Sequence, residues 1–97
     1  MRRLVFRLQA RSEIANAAIW YEGQGIGLGA EFLRAVDVTI SSIQHNPEQY
    51  QRVRGRTRRA VLRRFPYSVV YVLTDDEIVV VGCVHGRLSL KRWQDRS

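Results

Sequence analysis

Arginine dominates the one stretch of this sequence where side chains of a single charge are concentrated. Seven of the thirteen residues from Arg52 to Arg64 are arginines, and none is acidic. A guanidinium group is planar, always charged, and able to hold a carboxylate or phosphate through two parallel hydrogen bonds. Like charges this close repel one another unless an anion screens them. The stretch therefore predicts a surface that binds an acidic partner, with a solvated sheet face as the simpler alternative.

We expect the residues that bind an anion or partner to be these arginines and two residues of the C-terminal tail. The set is Arg52, Arg54, Arg56, Arg58, Arg59, Arg63, Arg64, Arg87 and Trp93. Strand alternation predicts that Ala60 and Leu62 face the core, while Arg59 and Arg63 face outward on the opposite side of the sheet.

His85 is the other residue that could do chemistry. It could act as a general acid or base in breaking a phosphodiester bond, with the arginines that follow it, such as Arg87, stabilising the developing charge. A lone histidine at a strand end is more often a structural hydrogen-bonder. Cys83 shares a strand face with His85, but the pair lacks a third group to orient it for nucleophilic catalysis.

Metal chemistry is disfavoured by the positions of the carboxylates. Asp75, Asp76 and Glu77 form the only acidic run, and they occupy a hairpin turn where acidic residues are common for turn reasons alone. We expect no metal and no cofactor.

Composition limits what the partners can be. The 97 residues predict one domain, residues 1–97, around one core. The formal charge is +7, and 15 of the 16 basic residues are arginine. Nucleic acid, an acidic protein surface and anionic lipid all suit such a charge. No apolar stretch approaches the roughly 20 residues needed to span a bilayer, and no signal peptide is visible, so we expect a cytoplasmic protein without membrane contact.

Apolar periodicity predicts the elements that position these residues. Alternation from Arg2 to Leu8 predicts a half-buried strand, and Ser12 is the expected N-cap of a helix that ends near Gly23. Glycines at positions 23, 25, 27 and 29 resemble a phosphate-binding loop, but a loop between two helices favours a tight helix-to-helix turn. A second helix is expected over residues 30–45, with Leu33 on its core stripe.

Three strand patterns follow a loop that is expected to extend to Gly55. They are TRRAVLRR, YSVVYVLT and EIVVVGCVH, separated by connections short enough to make an antiparallel meander. The fold class is therefore α+β, with the element order β-α-α-β-β-β.

Five motifs together resemble a known family over nearly the whole chain. They are AxxEIxxAAxWYE, GLGxEFLxxV, NPEQY, RRAVLRRFPYSVVY and HGRxxxxRW. They are similar to the ParE branch of the RelE/ParE superfamily of bacterial toxins. The resemblance implies a helical hairpin packed on a small antiparallel sheet. It also implies a toxin of a type II toxin–antitoxin module, of the plasmid stabilisation type.

Two kinds of partner follow from the resemblance. A small antitoxin encoded beside such a toxin wraps it in a hetero-oligomer; it should cover apolar surface between the hairpin and the sheet, and its acidic residues should meet the arginines. The targets differ within the superfamily, because ParE-like members inhibit DNA gyrase whereas RelE-like members cut messenger RNA on the ribosome.

We favour a gyrase inhibitor that is not an enzyme. One alternative is a metal-independent endoribonuclease that uses His85, Arg63 and Arg87, although the tail from Gly86 onward lacks the tyrosine typical of RelE-like nucleases. The other is a relative that binds an antitoxin without being toxic.

Overall fold

The computed structural model describes residues 2–86, in which two helices pack on one five-stranded sheet. The elements in chain order are β1 (Arg3–Phe6), α1 (Leu8–Gln24), α2 (Leu28–His45), β2 (Arg52–Arg54), β3 (Thr57–Val61), β4 (Tyr67–Leu73) and β5 (Glu77–His85). The predicted N-terminal strand, helical hairpin and antiparallel meander are therefore all present. None of the helices in this part of the chain is long and apolar enough to cross a membrane.

The sheet is mixed because β1 pairs in parallel with β5, the last strand of the meander. Its strand order is β1-β5-β4-β3-β2, with β3, β4 and β5 antiparallel and β1 parallel to β5. The helical hairpin and three strands separate β1 from β5 in the chain, and the two strands run in the same direction, with Arg3 opposite Glu77. β5 has a neighbour on each side, as its almost continuous apolar sequence predicts.

Strand β2 corrects the prediction of a loop from residue 46 to Gly55. Arg52 and Arg54 pair with β3, and the register shifts between them. Gly55 has a φ of 53°, in the left-handed region that a tight hairpin requires. Three residues are too few to show an alternating pattern. The one apolar residue, Val53, lies between two arginines in the sequence and packs against the sheet.

The start of α1 corrects a second prediction. The helix begins at Leu8, four residues before the expected N-cap at Ser12, and its N-cap is Arg7 in an extended conformation. The backbone N–H of Arg11 donates to the Arg7 carbonyl at 3.1 Å. Leu8 is therefore 80% exposed at the helix start instead of facing the core as a strand residue.

The glycine-rich segment is a helix-to-helix turn closed by a carboxylate. Glu22 accepts hydrogen bonds from the backbone N–H groups of Gly27 at 3.1 Å and Gly29 at 3.0 Å, at the start of α2. An anion bound at this helix N-terminus would need the same donors. Gly29 also lets the helices approach closely, because a Cβ there would lie 2.7 Å from the Ala18 carbonyl oxygen.

The core lies between the hairpin and one face of the sheet. Phe32, which is fully buried, has its ring centroid 5.3 Å from Tyr21, 5.3 Å from Phe65 and 5.2 Å from Tyr67. Tyr71 is also fully buried, and its hydroxyl donates a 2.6 Å hydrogen bond to the Pro47 carbonyl. This bond ties the loop after α2 to the central part of the sheet.

The close approach at Gly29 predicts a specific sensitivity. Gly29→Ala should lower the free energy of unfolding by about 1–3 kcal/mol, since the added methyl overlaps backbone that cannot move aside. Gly23→Ala is the matched control, because a Cβ there meets nothing within 4 Å and the residue is helical. It should be neutral or stabilise by up to about 1 kcal/mol. Urea unfolding of both variants measures the difference, and equal effects would contradict the explanation.

Candidate functional site

An apolar groove runs along the outer side of the helical hairpin. Ile14, Ala18 and Ile19 of α1 face Leu33, Val36 and Ile40 of α2 across a cavity of about 510 Å³. We call this surface the hairpin groove. Concave, mostly apolar cavities of about 300–1,000 Å³ are the usual shape of a binding site in a protein.

The exposure of two side chains distinguishes the hairpin groove from the core. Ile19 is 70% exposed and Leu33 is 42% exposed, whereas Val36 and Ile40 are buried and form the floor. Leu33 thus departs from the predicted core stripe of α2 and lies on its outer edge. The buried residues of α1 are small ones, Ala17 and Ala18 among them. Of its larger side chains, Tyr21 packs against the core, whereas Ile19 and Trp20 are exposed.

Two side chains of opposite charge border the hairpin groove. Arg11 lies at one end, with its guanidinium carbon 5.4 Å from the centroid of the Phe6 ring, and Asp37 lies on the α2 side. A partner segment that fits the groove would therefore combine apolar side chains with at least one acidic group near Arg11.

The arginines from residue 52 to 64 do not form one surface. Arg52, Arg56 and Arg58 line a small pocket together with Arg2. Arg59 lies opposite Val70 of β4, on the sheet face that turns away from the helices. Arg54 is exposed on the edge strand β2.

Arg63 is placed differently from the prediction that it shares the outward face with Arg59. β3 ends at Val61, and the chain then turns towards the helices, so that Arg63 lines a cavity of about 330 Å³ with Arg34 and Thr39 of α2. Strand alternation does not continue through the corner. The predicted outward pair is thus divided between two sides of the molecule.

Arg64 lies in the same corner and has a strained backbone conformation. Its φ of 70° is in the left-handed region, unusual for a residue with a Cβ. Its guanidinium is 3.4 Å from the Glu31 carboxylate, but its side chain is 80% exposed, so the ion pair contributes little stability. The conformation follows from the tight connection, in which the Leu62 N–H donates to the Tyr67 carbonyl at 2.9 Å.

His85 lies in a cleft between α1 and β5. Glu13, Trp20 and Tyr67 line the cleft with His85 and Cys83, around a cavity of about 300 Å³. The rings of His85 and Tyr67 meet edge to face at a centroid distance of 5.3 Å. Burial raises the pKa of Tyr67, with smaller contributions from Tyr21 and Cys83, so its hydroxyl stays protonated at neutral pH.

Cys83 is not activated as a nucleophile in this cleft. Its backbone N–H donates to the Glu13 carboxylate at 2.9 Å, and the thiol is buried. Burial and the negative charge of Glu13 raise the pKa of the Cys83 thiol to about 12. The reactive form of a cysteine is the thiolate, which this environment suppresses.

The predicted nuclease residues are not brought together in residues 2–86. Arg63 lines a cavity on α2 and His85 lines the cleft on α1, while Arg87 and Trp93 lie outside the described residues. The sequence analysis did not predict that Glu13 and Tyr67 lie beside His85. Strand pairing could have indicated Tyr67, which lies opposite His85 in the antiparallel register.

Comparison with known proteins identifies the fold. No protein-family model matches the chain, and no curated protein matches it. A solved structure described as the chromosomal ParDE TA system from P. aeruginosa contains a chain that superposes with a TM-score of 0.75. The match covers 88% of this chain and 96% of that one at 17% sequence identity. This likeness confirms the α+β fold of the RelE/ParE type predicted from the motifs.

Burial of Cys83 and Tyr71 predicts how stability depends on alkaline pH. Their pKa values are raised from 9.0 and 10.0 to about 12 each, by burial in both cases. The folded state thus holds both protons more tightly than the unfolded chain does. The resulting stability is fully present below the unfolded pKa values and is lost as pH rises through the folded ones.

We therefore expect the free energy of unfolding to fall progressively above about pH 9. Cys83→Ala removes one of the two groups, so the decline between about pH 9 and pH 10 should be shallower than in the unsubstituted protein. Urea unfolding across this pH range measures both slopes. Identical slopes would show that the Cys83 thiol does not titrate differently in the two states.

Proposed function

We propose that this protein is the toxin of a type II toxin–antitoxin module, that an antitoxin segment binds in the hairpin groove, and that the toxin acts by inhibiting DNA gyrase. The observation that carries the proposal is the exposed apolar groove on a fold shared with a chain of a ParDE toxin–antitoxin structure. The sequence motifs quoted above support the same assignment.

The surface chemistry indicates what the antitoxin segment must look like. The groove floor formed by Val36 and Ile40 suits aliphatic side chains at helical spacing, since a helix lying in a groove presents residues at i, i+3, i+4 and i+7. The formal charge of +7 favours acidic residues on the rest of the segment. An amphipathic acidic helix meets both requirements.

Inhibition of gyrase is supported over RNA cleavage by the distribution of the candidate residues. Cleavage with a ribose hydroxyl as nucleophile requires an acid or base and a cation within hydrogen-bond reach of the same phosphate. His85 and Arg63 line separate cavities, and the Cys83 thiol beside His85 is held protonated. A protein inhibitor needs only a complementary surface, which this arginine-rich exterior supplies.

Substitution in the hairpin groove should separate antitoxin binding from folding. Leu33→Glu places a charge on the wall of the groove, where the side chain is already 42% exposed, so folding should be retained. Affinity for the antitoxin encoded beside the toxin should fall at least about 30-fold, the loss typical of a central interface residue. Binding is measured by calorimetry with the two purified proteins.

Ile26→Glu is the matched control for this experiment. Ile26 is fully exposed in the turn between the helices and does not line the groove. Its substitution should leave antitoxin affinity within about twofold, because rim and remote positions contribute little. If Ile26→Glu weakens binding as much as Leu33→Glu does, the antitoxin does not occupy the groove.

The target is tested by expressing the toxin and comparing two readouts. We expect purified gyrase to lose supercoiling activity in the presence of the toxin while primer extension shows intact messenger RNA. His85→Ala should leave gyrase inhibition unchanged. Transcript cleavage that disappears in His85→Ala, with supercoiling unaffected, would instead establish the endoribonuclease. Neither effect, together with normal antitoxin binding, would identify a non-toxic relative.

A further inference from the structure

Four arginines from two distant parts of the sequence meet at one end of the sheet. Arg2, which precedes β1, joins Arg52, Arg56 and Arg58 around a cavity of about 160 Å³. We call this cavity the arginine pocket. Its other lining residues are Glu48, in the loop after α2, and Leu73, at the end of β4.

Backbone carbonyl groups hold three of these guanidinium groups in position. Arg2 Nε donates to the Thr74 carbonyl at 2.9 Å, and Arg56 Nη2 donates to the Leu73 carbonyl at 2.9 Å. Arg58 Nη1 donates to two carbonyls in the loop after α2, those of Tyr50 at 2.6 Å and Glu48 at 3.0 Å. A guanidinium has five N–H donors, so each keeps several for another acceptor.

These contacts orient the side chains without neutralising their charge. A carbonyl oxygen is neutral, and Glu48 supplies the one carboxylate among the lining residues that the structure describes. Four positive charges against one negative leave a local excess of three. Mutual repulsion of such charges is unfavourable, and a bound anion relieves it.

We propose that the arginine pocket is a binding site for a single phosphoryl group. Oriented guanidinium groups donate paired, directional hydrogen bonds. They therefore suit the oxygen atoms of a phosphate better than a spherical halide ion. The cavity of about 160 Å³ is several times larger than a single water molecule requires. The cavity opens to solvent, so one tetrahedral oxyanion with some hydration fits inside it and any group attached to the oxyanion extends outside.

This site goes beyond the proposed function and does not depend on it. The hairpin groove is built from α1, α2 and Phe6, whereas the arginine pocket is built from the segments before β1, after α2 and around β2 and β3. Among residues 2–86, none lines both. A phosphoryl group in the pocket could be a free phosphate ion or the terminal phosphate of a small nucleotide, and the shared chemistry is the dianionic oxyanion.

The test is a calorimetric titration of the full-length protein with inorganic phosphate, with chloride at matched ionic strength as the reference. Arg52 is exposed on the short edge strand, so Arg52→Gln should keep the fold while weakening phosphate binding about tenfold, the loss expected of a charge-assisted hydrogen bond. Arg34→Gln removes the same charge from the cavity on α2 and should leave affinity within about twofold.

Glu48→Gln provides a test in the opposite direction. The amide keeps the shape of the side chain but removes the one negative charge from the described lining, so phosphate should bind at least about threefold more tightly. Unchanged or weaker binding in Glu48→Gln overturns the proposal. Equal weakening by Arg34→Gln and Arg52→Gln also overturns it, because net charge alone would then explain the binding.

Adenosine monophosphate and adenosine distinguish the two sources of the phosphoryl group. Binding of the monophosphate at least as tightly as inorganic phosphate, with no binding of adenosine, assigns the pocket to a terminal phosphate. Binding of inorganic phosphate with exclusion of the monophosphate assigns it to the free ion. Failure of all three ligands to bind above the chloride reference overturns the site while leaving the proposed toxin function unaffected.

Discussion

Aromatic packing around Phe32 is the constraint on which the rest of the structure depends. The ring of Phe32 contacts Tyr21 of α1 on one side, and Phe65 and Tyr67 at the β3–β4 corner on the other. These contacts fix the hairpin against the sheet, and they add about 0.5–1.5 kcal/mol per pair to the burial of apolar area. The hairpin groove outside the helices and the His85 cleft beneath α1 keep their shapes only while this packing holds.

Local pattern predicted most of the fold, because the helices and the meander strands are long enough to show their periods. The errors occur where a few residues decide the geometry. β2 has three residues, the α1 start lacks a capping side chain, and the alternation of β3 stops at Val61 where Arg64 adopts a positive φ. Strand alternation cannot show that β3 ends at Val61 and not at Arg64, so the separation of Arg59 from Arg63 was not predicted.

The candidate sites were less predictable than the fold, because each is made by distant segments. The arginine pocket needs Arg2, which lies about 50 residues from Arg52 in the chain. The arginine run indicated an anionic partner but not that its members would point in several directions. The hairpin groove had a weak signal in α1, where Ile19 is apolar yet lies off the stripe that contains Ile14, Ala18 and Tyr21.

Parallel pairing of β1 with β5 also has a consequence for biosynthesis. Arg3 pairs with Glu77, 74 residues further along the chain, and their side chains form an ion pair at 2.7 Å. Ribosomes add about 5–20 residues per second, so β1 must wait on the order of 4 to 15 seconds for its partner strand to be translated. β1 is therefore placed in the sheet only after β5 has been made. A nascent chain that stops short of β5 cannot complete the sheet and lacks the finished surface.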